Sequence, residues 1–171
     1  NDIKTRSLDL LTKWNGDIMT GSPEPLIYST WVETFKKMLL EDELNFNFFS
    51  LNIISPLFLE KVLRNYENAG TWCDIKHSDN IETCAELSKK SLTKSLRKLK
   101  DAYGADVDKW RWGNERRIKH PSYSVGGTLI PKFLLEISTE IPGNTHTLNS
   151  TKLIDRSIDR EAKSSSFKMI I

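Results

Sequence analysis

The chain has 171 residues, of which 38% are hydrophobic, and that is enough to bury one core. Its 25 basic and 23 acidic residues leave a net charge of +2, so no strong overall field draws it to nucleic acid or an anionic membrane, and neither partner is expected. The longest apolar stretch, residues 46–59, is broken by Asn47, Asn52, Ser55 and Pro56 and is too short to cross a bilayer.

The chain begins at Asn1 without a signal-peptide pattern and reads as processed or cut. Ile3, Leu8, Leu10, Leu11 and Trp14 fall on a helical stripe that the Asn15-Gly16-Asp17 turn chemistry ends. Residues 21–25, Gly-Ser-Pro-Glu-Pro, read as a stiff connection. After it Ser29 precedes a second helix with Trp31, Val32, Phe35, Met38 and Leu39 at spacings of three and four.

The apolar stretch from Phe46 to Ile54 has no clean period and receives no assignment. Ser55-Pro56 is an N-cap followed by proline at the first helical position. Leu59, Val62, Leu63 and Tyr66 give that helix an apolar face, and Asn68-Ala69-Gly70 stops it.

Cys73 and Cys84 flank a polar stretch, Asp74 to Thr83, that can loop back on itself. The spacing suits a local disulfide and equally suits two free thiols in a reducing compartment. Zinc is disfavoured, because a structural site wants four ligands at short paired spacings, whereas His77 lies between the cysteines and His120 and His146 stand apart.

Asp79 and Glu82 have capping-box spacing and predict a long helix carrying Ala85, Leu92, Leu96, Leu99 and Tyr103, closed by Gly104. Its other face holds Lys89, Lys90, Lys94, Arg97, Lys98 and Lys100. With no aromatic residues interleaved for stacking, this reads as a solvated face rather than a phosphate-binding stripe.

Beyond Gly104 the chain changes character. Gly126-Gly127, Pro131 and Pro142-Gly143 among Thr, Ile, Leu and Phe predict strands and loops, with strands over Thr128 to Ile141 and Phe167 to Ile171.

No G-x-S-x-G elbow, H-E-x-x-H helix, Walker loop or G-x-G-x-x-G fingerprint occurs, so no catalytic residue is assigned to the chain. His120 and His146 are the best polar candidates, and each is better read as a structural or surface histidine.

Three stretches carry a family resemblance. The first is Leu11-Thr12-Lys13-Trp14-Asn15-Gly16, followed by Tyr28-Ser29-Thr30-Trp31. The second is Trp110-Arg111-Trp112-Gly113-Asn114 with His120-Pro121. The third is Gly143-Asn144-Thr145-His146-Thr147-Leu148-Asn149, ahead of Ser166-Phe167-Lys168-Met169-Ile170.

In that order they resemble the later part of the β subunit of penicillin acylase-type, N-terminal-nucleophile amidohydrolases. The motif positions are Trp14, Gly16, Trp112, Gly113, His120, Pro121, Asn149, Phe167 and Lys168. Cys73 and Cys84 also resemble a cysteine pair common in the family, and the resemblance implies that they are linked. The chain departs from the pattern at Arg116, where the family often has histidine, and at Lys168, where it has arginine; lysine lacks the bidentate fork of arginine.

The resemblance implies a precursor that cuts itself to expose an N-terminal serine. The serine's α-amino group serves as base, and hydrolysis passes through an acyl-enzyme. It places the nucleophile and any calcium ligands upstream of residue 1, so no cofactor is expected in this chain.

The expected fold is α+β: a mainly helical region over residues 1–113, then strands and loops over 114–171, as part of a four-layer αββα sandwich. The chain is expected to be a single piece of a larger domain. Its implied partners are the upstream part of the β subunit, the α subunit and an acylated small-molecule substrate, with self-association through exposed strand edges. The implied location is the periplasm or exterior. A rival reading is a non-catalytic helical interaction module anchored by Trp31, Trp72, Trp110 and Trp112.

Overall fold

The computed structural model describes residues 2–40, 54–76, 78–115, 117–120, 137–140, 142–143, 151–156 and 159–164. Four α-helices dominate: α1 (Asp2–Lys13), α2 (Glu24–Leu40), α3 (Pro56–Leu63) and α4 (Cys84–Tyr103). A 3-10 segment over Tyr66–Cys73 links α3 toward α4, and short 3-10 turns cover Val107–Lys109 and Trp112–Asn114.

The expected α+β sandwich is corrected. Extended chain among the described residues is limited to β1 (Arg117–His120), β2 (Ile137–Glu140), β3 (Thr151–Arg156) and β4 (Asp159–Ser164). These form two separate two-stranded antiparallel ribbons, with Arg117 opposite Glu140 in one and Thr151 opposite Ser164 in the other. A sheet layer needs three or more strands and a continuous apolar face. The sequences RIKH, ISTE, TKLIDR and DREAKS are too polar to supply one. Of the predicted strands, Phe167–Ile171 and most of Thr128–Ile141 lie outside the described residues.

The chain divides into two compact units. The first comprises residues 1–11 and 27–107, and its core is built by α2, α3, the 3-10 segment and the start of α4. Phe35, Leu39, Val62, Cys73 and Leu87 are buried there, with Met38, Phe58, Leu59, Trp72 and Ile75 packed against them. Completely burying a side chain such as Leu39 or Leu87 contributes roughly 1.5–3 kcal/mol. Phe58 and Trp72 meet edge to face at 5.3 Å. The Trp31 indole donates to Ser91 Oγ at 3.0 Å and to the Ser88 carbonyl at 3.1 Å, tying α2 to α4.

Local signals set most helix ends, though not always those expected. Ser55 caps α3, its side chain accepting from the Phe58 amide, with Pro56 following. α3 stops at Leu63, before Asn68-Ala69-Gly70, because Asn65 turns left-handed and its side-chain oxygen accepts the Gly70 amide at 2.8 Å. α2 begins at Glu24, ahead of the expected Ser29, since Pro25 lies in the first turn, where a missing N–H breaks no intrahelical bond.

α4 starts at Cys84 with Thr83 as N-cap. The capping box is Thr83 with Glu86, not Asp79 with Glu82. Its buried face is Leu87, Ser91, Leu92, Ser95, Leu96 and Leu99, whereas Ala85 is exposed. Gly104, at φ +85°, closes the helix by donating its amide to Lys100 at 2.8 Å. The six basic side chains of α4 lie exposed, as read from their pattern.

The second unit comprises residues 12–26 and 108–171. Its described core centres on Trp110, with 0% exposure, and Trp112, with 2%, alongside buried Pro25, Leu26 and Gly113.

Candidate functional site

In the second unit the backbone just after the Trp14-Asn15-Gly16 motif meets Trp112 and Gly113 of the second stretch and Gly143 of the third, whereas residues 28–31 lie in the first unit. α1 runs into the Trp14-Asn15-Gly16-Asp17 turn. There the Trp14 indole donates to the Asp17 carbonyl at 2.8 Å, and the Asn15 side-chain oxygen accepts the Asp17 amide at 3.0 Å. Gly16 sits at φ +93°, a conformation that a Cβ disfavours, which is why glycine ends this motif.

The next carbonyls in the chain receive the second motif. Ser22 O accepts the Trp112 amide at 3.0 Å, and Thr20 O accepts the Gly113 amide at 2.9 Å. The third motif closes the cluster: the Gly143 amide donates to Ile18 O at 3.3 Å, and the buried Trp112 indole donates to Gly143 O at 3.2 Å. Gly143 lies at φ +91°. Gly113 is buried, and a Cβ on it would run into the Glu140 carboxyl group.

Trp112 therefore anchors strands of backbone drawn from residues 18–22, 112–113 and 143. Every hydrogen bond named in this cluster uses a backbone carbonyl as acceptor or seals a turn. Such a cluster positions chain.

The other motif positions fall differently. His120 ends β1, opposite Ile137. Pro121, Asn149, Phe167 and Lys168 lie outside the described residues, as do His77, Arg116 and His146.

Cys73 and Cys84 are joined by a disulfide, with their Cα atoms 5.0 Å apart. The loop it closes is organised by a carboxylate that sequence reading had assigned elsewhere. Glu82, its side chain 7% exposed, accepts from the Ile75 amide at 3.2 Å and the Ser78 hydroxyl at 2.9 Å, and it pairs with Lys90 at 3.0 Å. The Asp74 carboxylate accepts the Glu82 amide at 3.0 Å. The Lys90 contact holds the Glu82 carboxyl below the usual carboxylate range; burial opposes this, and the Ser78 and Ile75 donors add to it.

Lys36, half-buried on α2, donates to Ile54 O at 3.1 Å just ahead of the α3 cap. Burial lowers its ammonium pKa, and nearby Glu33 works in the opposite direction. Glu82 carries only the capping-box spacing from Asp79, which points to a different role, and Lys36 carries no sequence signature beyond its residue type.

The rival role for the tryptophans fails on exposure. Trp110 and Trp112 are enclosed, and Trp31 and Trp72 are half-buried in the first unit's packing. Among the described residues no group of three or more His, Cys, Asp or Glu could hold a metal ion, and no helix is long and apolar enough to cross a membrane.

A penicillin amidase family model matches residues 1–171, the whole chain. The chain belongs to the penicillin amidase family. No curated protein and no solved structure matches it.

Proposed function

We propose that this chain is the C-terminal part of a penicillin amidase-type amidohydrolase that splits the amide bond of an acylated small molecule into acid and amine. In this reading the N-terminal serine, its oxyanion donors and any calcium ligands are supplied by the rest of the precursor, and the chain by itself does not hydrolyse amides. The observation that carries the proposal is the family match over residues 1–171, and the cluster that Trp112 and Gly113 form with Gly143 and the backbone of residues 18–22 gives some of the family's motif positions a structural role. The disulfide supports an oxidising compartment, the periplasm or exterior.

The test is the intact mass and N-terminal sequence of the native gene product, followed by assay of a panel of acylated chromogenic amines. A processed precursor with a chain starting at serine upstream of Asn1, releasing amine from at least one substrate, supports the reading. A native product of about this chain's size, or a processed one that hydrolyses none of the panel, overturns it.

A further inference from the structure

The described loop residues 74–76 and 78–83 are held closed twice. The first tie is covalent, at the base of the loop, between Cys73 and Cys84. The second runs through Glu82, which gathers the Ile75 amide, the Ser78 hydroxyl and the Lys90 ammonium while its own amide is held by Asp74. These contacts span the loop from Asp74 to Glu82, so they hold the same chain ends together as the disulfide does.

The surroundings of Cys84 also suit a thiol there. Cys84 Sγ lies 3.5 Å from Gly70 O and 3.7 Å from Val62 O. A thiol formed at Cys84 thus has acceptors ready and leaves no unsatisfied donor.

We propose that the Cys73–Cys84 disulfide and the Glu82 carboxylate form a two-key lock, in which either key keeps the loop closed and only reduction together with loss of the Glu82 charge opens it. Reduction needs an external dithiol. Its thiolate attacks the sulfur of half-buried Cys84 rather than fully buried Cys73. The S–S bond breaks and Cys73 leaves as a thiolate that takes up a proton. The reductant's second thiol then displaces Cys84, so two electrons pass to the protein and the dithiol departs as a cyclic disulfide.

Among the described residues, the charged groups around Glu82 include Lys90 of α4, Glu86 in the first turn of the same helix, and Asp74 in the loop. Protonation of Glu82 removes its attraction to Lys90, so the second key turns in acid. Opening uncovers Ile75, the loop residue that packs on the first unit's core. The device thus responds to acid and reductant together and ignores either by itself.

The test is hydrogen exchange read by mass spectrometry on the full native gene product. It follows the backbone amides of residues 74–83 in wild type, Glu82→Gln and Glu82→Ala, each oxidised and reduced with dithiothreitol at neutral pH. Exchange should rise by about two-fold or less in oxidised variants and in reduced wild type, and by about ten-fold or more in the reduced variants. Reduced wild type at about pH 2.5, low enough to protonate a depressed carboxylate, and corrected for intrinsic exchange, should match the reduced variants. The proposal is overturned if reduced wild type already opens at neutral pH, if oxidised Glu82→Ala opens, or if the reduced variants stay closed. Loss of helical circular dichroism on reduction of wild type would overturn it too, by making the bond essential to the fold.

Discussion

The two units reach order by different means. In the first, side chains do the holding: an apolar cluster between helices, an indole bridging α2 to α4, a disulfide and a buried carboxylate. In the second, backbone holds backbone, with carbonyls of residues 18–22 receiving the amides of Trp112, Gly113 and Gly143 around buried indoles. The first kind of order tolerates changes in side-chain detail as long as volume and pairing are kept. The second depends on a few residues whose backbone must follow an unusual path, and these are the residues the family motifs record.

The sharpest way to break the contrast is Trp112→Ala. It empties a fully enclosed site and removes the indole donor to Gly143 O, and it should cost about 3–5 kcal/mol in chemical denaturation. A loss below about 1 kcal/mol would show that the indole does not anchor the cluster.

Next comes removal of the disulfide by Cys73→Ser with Cys84→Ser. Freeing a loop of this length should lower stability by roughly 3 kcal/mol, with helical circular dichroism retained. Gly143→Ala should cost about 1–2 kcal/mol, because its positive φ is unfavourable for alanine while both its amide and its carbonyl are fixed. In the first unit, Thr83→Ala should cost about 1 kcal/mol by removing one half of the capping box on α4.

The smallest effect is a pH response. Glu67, Glu82 and Glu86 all have lowered folded-state pKa values: Lys61 acts on Glu67, Lys90 first on Glu82, and the Thr83 amide first on Glu86. A depressed carboxylate pKa gives stability that is fully present above the ordinary carboxylate range and is lost as pH falls through the folded values. Thermal midpoints should therefore hold steady from pH 7 to about 5 and fall below about 4, and Glu82→Gln should flatten that fall.

Elements specified by neighbouring residues were legible in the sequence. Ser55-Pro56 marked the start of α3, Gly104 marked the end of α4, and Asn15-Gly16-Asp17 marked the end of α1. Near misses arose where two local signals competed. Asp79 and Glu82 have the spacing of a capping box, but Glu82 is drawn back into the loop, and Thr83 with Glu86 takes over the cap.

The Trp112 cluster was not legible as geometry, because an amide at 112 bonded to a carbonyl at 22 leaves no local pattern. Turn chemistry flagged Gly16 as a helix end, but only the resemblance set Trp14, Gly16, Trp112 and Gly113 side by side as motif positions, and it did not say what they do. The expected sandwich failed differently: a mixture of Thr, Ile, Leu and Phe after Gly104 suggested strands, the resemblance supplied the layers, and the short polar ribbons among the described residues do not form them.

Trp72 stands next to Cys73 in the chain and packs on the cluster that contains the disulfide. A disulfide beside an indole quenches its excited state by accepting an electron, whereas a thiol does so far less. The oxidised protein should thus emit more dimly than the reduced one, and the change should vanish in Trp72→Phe. The molecule carries its own optical gauge of the Cys73–Cys84 bond, readable in solution without a label.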